Sequence, residues 1–162
     1  MTAHPTFGHF ADDGRSYVIT DPFAPPRAQI NFLWNDHLIS GINQFGTGDG
    51  IFNGRVMLVN DPRGRVQLIQ DGARYCYLKD REDGRIWNAG NQPIRHADAE
   101  LQTTVGLGWT RIDSRFAEIA CSALVFLASD EPVEIWRYRL HNASDRPRRL
   151  PLAPYCEWRL GG

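Results

Sequence analysis

Turn-forming clusters punctuate this chain so closely that no helix of ordinary length fits between them. They fall at residues 12–14 (DDG), 47–50 (TGDG), 60–64 (NDPRG), 70–72 (QDG), 81–84 (REDG), 129–132 (SDEP) and 143–147 (ASDRP). Gly, Asp, Asn and Pro supply the backbone angles and local hydrogen bonds that reverse a chain. Between them lie short runs rich in β-branched and aromatic residues, which suit a pleated, half-buried surface. The spacing predicts strands over 16–20, 29–34, 55–59, 65–69, 74–79, 85–88, 101–112, 117–128, 133–142 and 149–159. No window longer than one helical turn keeps an i, i+3, i+4, i+7 apolar stripe free of Gly or Pro. The expectation is an all-β fold, an antiparallel β-sandwich.

Two late segments carry the clearest patterns. In residues 133–140 (VEIWRYRL), Trp136, Tyr138 and Leu140 share one face with Glu134, and Arg137 and Arg139 project from the other. In residues 117–126 both faces read as apolar, as in a central strand between two layers. The SDEP turn between them marks antiparallel neighbours. Earlier, Pro22, Pro25 and Pro26 interrupt the run from Tyr17 to Trp34. Proline lacks an N–H donor and fixes φ, so neither a ladder nor a helix crosses this stretch. It reads as an extended crossover from one sheet to the other.

At 162 residues the chain fits one domain over 1–162, large enough to hold a core without disulfides or metal. A net charge of -1 argues against a nucleic-acid partner. No run approaches the roughly 18 apolar residues of a membrane span, and residues 1–10 lack a signal-peptide core. The expected compartment is the cytoplasm. The basic group Arg146, Arg148 and Arg149 reads as solvated surface. Cys76, Cys121 and Cys156 are odd in number and far apart, and read as small buried hydrophobes.

Signals for chemistry are weak. The five histidines show no HxH or HxxxH pair, so no metal site is expected. No serine sits in a GxSxG elbow, and the Gly-rich 47–54 stretch lacks the GK[ST] of a phosphate cradle. Paired acids fall in turns, where they cap local N–H groups. Trp87 and Asn88, with Asn91 and Gln92, have the make-up of a sugar-contact surface if exposed, although Trp more often serves the core.

Longer stretches are more specific. FGHFADDGRSYVITDPFAPPRAQINFLWND (7–36), DREDGRIWNAGNQPI (80–94), VGLGWTRI (105–112) and the segment 124–162 resemble, in order, the amino-terminal region of inverting β-glycoside phosphorylases. This is the cellobiose and chitobiose phosphorylase family, glycoside hydrolase family 94. The resemblance implies a galactose-mutarotase-like supersandwich, incomplete at its C-terminus, in a chain that is a fragment of a longer phosphorylase. The partner is then an (α/α)6 barrel, in cis or encoded downstream, and the enzyme a homodimer acting on β-glucoside-type sugars. Inorganic phosphate would be the co-substrate, attacking the anomeric carbon with inversion while a single Asp protonates the leaving oxygen. No other cofactor is implied. That Asp and the phosphate-binding residues belong to the barrel, so no catalytic residue carries over. Thr104, Val105, Gln29 and Asn91 depart from the family pattern. Two other readings stay open: a free-standing carbohydrate-binding module, and an interaction module that pairs strands with another chain.

Overall fold

The computed structural model describes residues 7–52, 56–58 and 74–160. Within them the chain begins with β1 (Gly8–Phe10), β2 (Ser16–Ile19), β3 (Ile30–Trp34), β4 (Leu38–Asn43), β5 (Gly50–Phe52) and β6 (Val56–Leu58). It continues through β7 (Arg74–Lys79), β8 (Ile86–Asn88), β9 (Glu100–Gly106), β10 (Trp109–Phe116) and β11 (Ile119–Leu127). The last strands are β12 (Glu134–Asn142), β13 (Leu152–Cys156) and β14 (Arg159–Leu160). All pairings are antiparallel.

Three sheets result. The largest runs β1-β2-β9-β10-β11-β12, the second β13-β7-β8, and the third β14-β6-β5-β4-β3. Alternation along β11 decides how they stack: Ile119, Cys121, Ala123 and Val125 are buried, with half-buried residues between them. The first three of these meet Leu78 and Trp87 of the three-stranded sheet and Ala89 just beyond β8, together with Ile112 and Phe116 from β10. Val125 meets Leu33 and Ile42 of the five-stranded sheet. Two smaller sheets therefore lie side by side on one face of the six-stranded sheet, and one layer of β11 side chains serves both.

The proline-rich segment joins β2 of the large sheet to β3 of the five-stranded one, the crossover expected from its composition. Asn31 fastens the arrival point. Its Nδ2 donates to the Gly106 and Trp109 carbonyls and to Thr110 Oγ1 at 3.1, 3.0 and 3.1 Å. Thr103 Oγ1 donates to the Gln44 carbonyl at 2.6 Å, a second tie between the layers.

Several expected boundaries move. The 101–112 segment is two strands, because Leu107 and Gly108 close a two-residue hairpin with Gly108 at φ 80. Ala117 and Glu118, expected within a strand, form the turn between β10 and β11 at φ 50 and 64. Positive φ at both positions is the geometry of a type I′ turn, normally made by Asn-Gly. Nothing in the residue types announces it. The 149–159 segment divides between two sheets as β13 and β14. Strands β1, β4 and β5 add to the expected set, and the strand expected at 65–69 lies outside the described residues. In β12 the alternation is as read: Arg137 and Arg139 are exposed, and Glu134, Trp136, Tyr138 and Leu140 face inward, half-buried.

Candidate functional site

The sugar-contact candidates sit where β8 runs into the following loop. Trp87 is 3% exposed and packs edge-on to Phe116, with ring centroids 5.5 Å apart. Its apolar area is spent on the core, so the indole offers no face for a sugar to stack on. Asn88 and Asn91 are buried as well. The Asn91 side chain closes its own loop: Nδ2 donates to the His96 carbonyl at 3.1 Å, and the His96 N–H donates back to Oδ1 at 2.8 Å. Gln92 alone is half-buried, at the margin of an open groove of about 350 Å³ shared with Phe23, Pro25, Pro26 and Phe45. An exposed platform built from these four residues, as read from the sequence, is thus corrected to one core indole, two buried amides and one groove-side glutamine.

The most concentrated polar chemistry lies elsewhere, at the junction of all three sheets. Arg74 opens β7 and is fully buried. Its Nη1 donates at 2.7 Å to both oxygens of Glu134 on β12 and at 2.9 Å to Ser40 Oγ on β4. Its Nε donates to the Gly48 carbonyl at 3.2 Å. The Ser40 hydroxyl and the Trp136 indole N–H both donate to the Glu134 carboxylate. One ion pair therefore ties three sheets, and its carboxylate is ringed by donors. Asp49 lies beside it, buried; loss of solvation outweighs the attraction of Arg74 and lifts its carboxyl to about 6. The visible clue was Glu134 on an otherwise apolar face of β12. Its partner, at the edge of a strand run, carried no signal.

A second buried pair corrects the reading of 146–149 as plain solvated surface. Arg148 is 1% exposed at its side chain; its Nε and Nη2 both donate to Asp80 Oδ2, and its Nη1 donates to the Ala117 carbonyl. Burial works against ionising Asp80, but the Glu82 N–H and the guanidinium prevail and hold its carboxyl at about 2. Arg149 is exposed and pairs with Glu82 at 2.7 Å. Arg148 thus pins the strained β10–β11 turn to the turn that follows β7.

Cys76 and Cys121 are buried as expected, and burial pushes the Cys121 thiol up to about 12 and raises that of Cys76. Cys156 is exposed, because all of β13 is. Among the described residues no group of three or more His, Cys, Asp or Glu side chains is placed to hold a metal ion. Among the described residues no helix is long and apolar enough to cross a membrane.

The geometry is that of a β-sandwich whose buried ionic groups are consumed by one another. A family model described as "Glycosyl hydrolase 94, supersandwich domain" matches residues 15–162. The chain belongs to the glycosyl hydrolase 94 family. Among its relatives, a solabiose phosphorylase of Paenibacillus borealis is 39% identical over 96% of this chain and 20% of its own length. A 3-O-beta-D-glucopyranosyl-beta-D-glucuronide phosphorylase of the same organism is 36% identical over 100% of this chain and 20% of its own. The N,N'-diacetylchitobiose phosphorylase of Vibrio furnissii is 27% identical over 94% and 19% respectively. The chain spans about a fifth of the length of each of these three relatives.

Proposed function

We propose that this chain is the non-catalytic amino-terminal domain of an inverting β-glycoside phosphorylase, and that it buttresses a catalytic (α/α)6 barrel in the same polypeptide or encoded downstream. The observation that carries the reading is how the buried charge is used. Arg74 with Glu134, and Arg148 with Asp80, sit between sheets and turns rather than in an open cleft. A general acid needs a carboxyl that can reach a substrate oxygen, and these carboxylates are held by the scaffold. The three relatives named above, phosphorylases of about five times the length, support placing the chemistry elsewhere in the whole enzyme. Phosphate as nucleophile, β-glucoside-type sugars as substrates, a homodimer and a cytoplasmic setting belong to the same proposal.

A docking role has its own support. Phe32, Trp34 and Ile39 are 49%, 78% and 48% exposed. Register places them together on the outer face of the five-stranded sheet, with Trp34 paired to Ile39. Contiguous exposed apolar residues of this kind mark contact surfaces; a barrel or a second subunit would cover them.

The test is direct. The 162-residue chain, incubated with phosphate and cellobiose, chitobiose or solabiose, is expected to release no sugar 1-phosphate. Turnover above background by the purified chain would overturn the proposal.

A further inference from the structure

Each of the three sheets ends in two edge strands, and an uncovered edge offers its spare N–H and C=O groups to any strand that comes near. Among the described residues, every edge but one carries a safeguard. β1, β8 and β14 are only 3, 3 and 2 residues long. β12 presents Arg137 and Arg139, both exposed, and β13 contains Pro154. β3 has no such device: Ile30–Trp34 reads INFLW, without proline or charge.

The ladder shows which of its backbone groups are spare. The Asn35 N–H donates to the Leu38 carbonyl, so the hydrogen-bonded pairs between β3 and β4 continue as Leu33 with Ser40 and Asn31 with Ile42. Gly41 and Asn43, which lie opposite Phe32 and Ile30, donate their N–H groups to the Asp49 and Thr47 carbonyls instead, away from β3. Ile30, Phe32 and Trp34 therefore turn their N–H and C=O groups to the open edge, where no described residue pairs with them. The same strand puts Phe32 and Trp34 side chains on the outer face, 49% and 78% exposed.

We propose that β3 is a dimerisation edge, pairing antiparallel with β3 of a second copy about a two-fold axis at Phe32 and joining two five-stranded sheets into one. The inference rests on the homodimer proposed above and names its contact. The strand is self-complementary in this register. Phe32 faces its own counterpart and Ile30 faces Trp34, so the outward N–H and C=O groups at all three positions meet a partner. Aromatic–aromatic and aromatic–β-branched neighbours are stabilising cross-strand pairs. No charge on the strand opposes its like across the axis, and at the ends exposed Asp36 of each copy falls near exposed Arg27 of the other. A helical surface laid on the outer face would cover the Phe32 and Trp34 rings and still leave the backbone row unpaired. An added strand satisfies both.

Sedimentation of the 162-residue chain, with and without Phe32→Lys, tests this. The wild type is expected to form a dimer and Phe32→Lys to lose it, since the substitution sets like charges face to face on the axis. Phe32 is half exposed, so the variant is expected to keep its fold, with an unchanged urea midpoint. In the wild type, amide exchange at Ile30, Phe32 and Trp34 is expected to slow as protein concentration rises, while Asn31 and Leu33, bonded within the sheet, stay slow throughout. A monomeric wild type overturns this inference and the homodimer together. A dimer that survives Phe32→Lys, or one that leaves those three amides exchanging freely, overturns the inference and spares the homodimer. The exchange measurement needs no variant.

Discussion

Replacing Glu134 with glutamine isolates the charge of the three-sheet junction while leaving its shape. The carboxylate accepts from Arg74 Nη1 through both oxygens, from the Ser40 hydroxyl and from the Trp136 indole. An amide has one acceptor oxygen. Turned toward Trp136, that oxygen keeps the indole and one Arg74 contact, while the NH2 meets a hydroxyl that already accepts from Arg74 at 2.9 Å. The guanidinium, fully buried, loses its hydrogen-bonded counter-charge and keeps only the more distant attraction of Asp49. Two charges about 4 Å apart interact by about 4 kcal/mol at an effective dielectric near 20, and removing one member of a buried pair costs about 3–5 kcal/mol. Glu134 retains 15% side-chain exposure, so the lower end applies, about 3 kcal/mol. In urea, with a slope of about 2 kcal/mol/M, the midpoint falls by about 1.5 M. Trp136 reports the change by fluorescence, and far-UV circular dichroism confirms a single transition. Arg74→Met combined with Glu134→Gln removes both charges, and the double variant is expected to recover about 2 kcal/mol relative to the sum of the singles. A Glu134→Gln cost under about 1 kcal/mol, or strictly additive singles, would refute the reasoning.

Other perturbations address separate features. A Cβ on Gly90 would lie 1.7 Å from the Phe45 carbonyl oxygen, a backbone atom that cannot swing away, so Gly90→Ala is expected to lower stability by about 3 kcal/mol or more in the same urea assay. Glu118→Gly relieves the φ of 64 in the β10–β11 turn and is expected to raise stability by up to about 1 kcal/mol; a clear loss would show that Glu118 is held there by more than turn geometry. Asp49 has a folded-state carboxyl raised from 3.8 to about 6, so its protonated form is favoured by folding. Its contribution is complete below about pH 4 and is lost as pH rises through about 6, a difference of about 3 kcal/mol. Asp49→Asn should therefore gain on the wild type across that window, and parallel pH–stability curves for the two proteins would sink the assignment.

Period-two patterning made β2, β11 and β12 of the six-stranded sheet legible, while β1 went unread and β9 and β10 read as one strand. Residues 136–140 alternate apolar and charged, and counting back by two puts Glu134 on the same inward face of β12, which could be read before any coordinates. The prolines at 22, 25 and 26 marked the sheet-to-sheet crossover for a covalent reason: a residue without an N–H cannot continue a ladder. The turn at Ala117 and Glu118 was illegible because neither residue type favours positive φ; part of what holds it is remote, Arg148 Nη1 at 3.2 Å from the Ala117 carbonyl and the Ala143 N–H at 2.9 Å from that of Glu118. Trp87 misled for a related reason. Beside Asn88, Asn91 and Gln92 it has a sugar-site composition, yet composition does not say which side of a sheet faces the core.

What the residue order determined by itself was local and collinear: an all-β chain, its alternating faces, its proline crossover and its membership of the glycosyl hydrolase 94 family. Only the tertiary structure decided which charges are buried. Arg74 and Glu134 are 60 residues apart, and Arg148 and Asp80 are 68 apart. Their pairing arises because two small sheets settle on one large one. Desolvation then makes each of these charges depend on a partner that no local pattern could name.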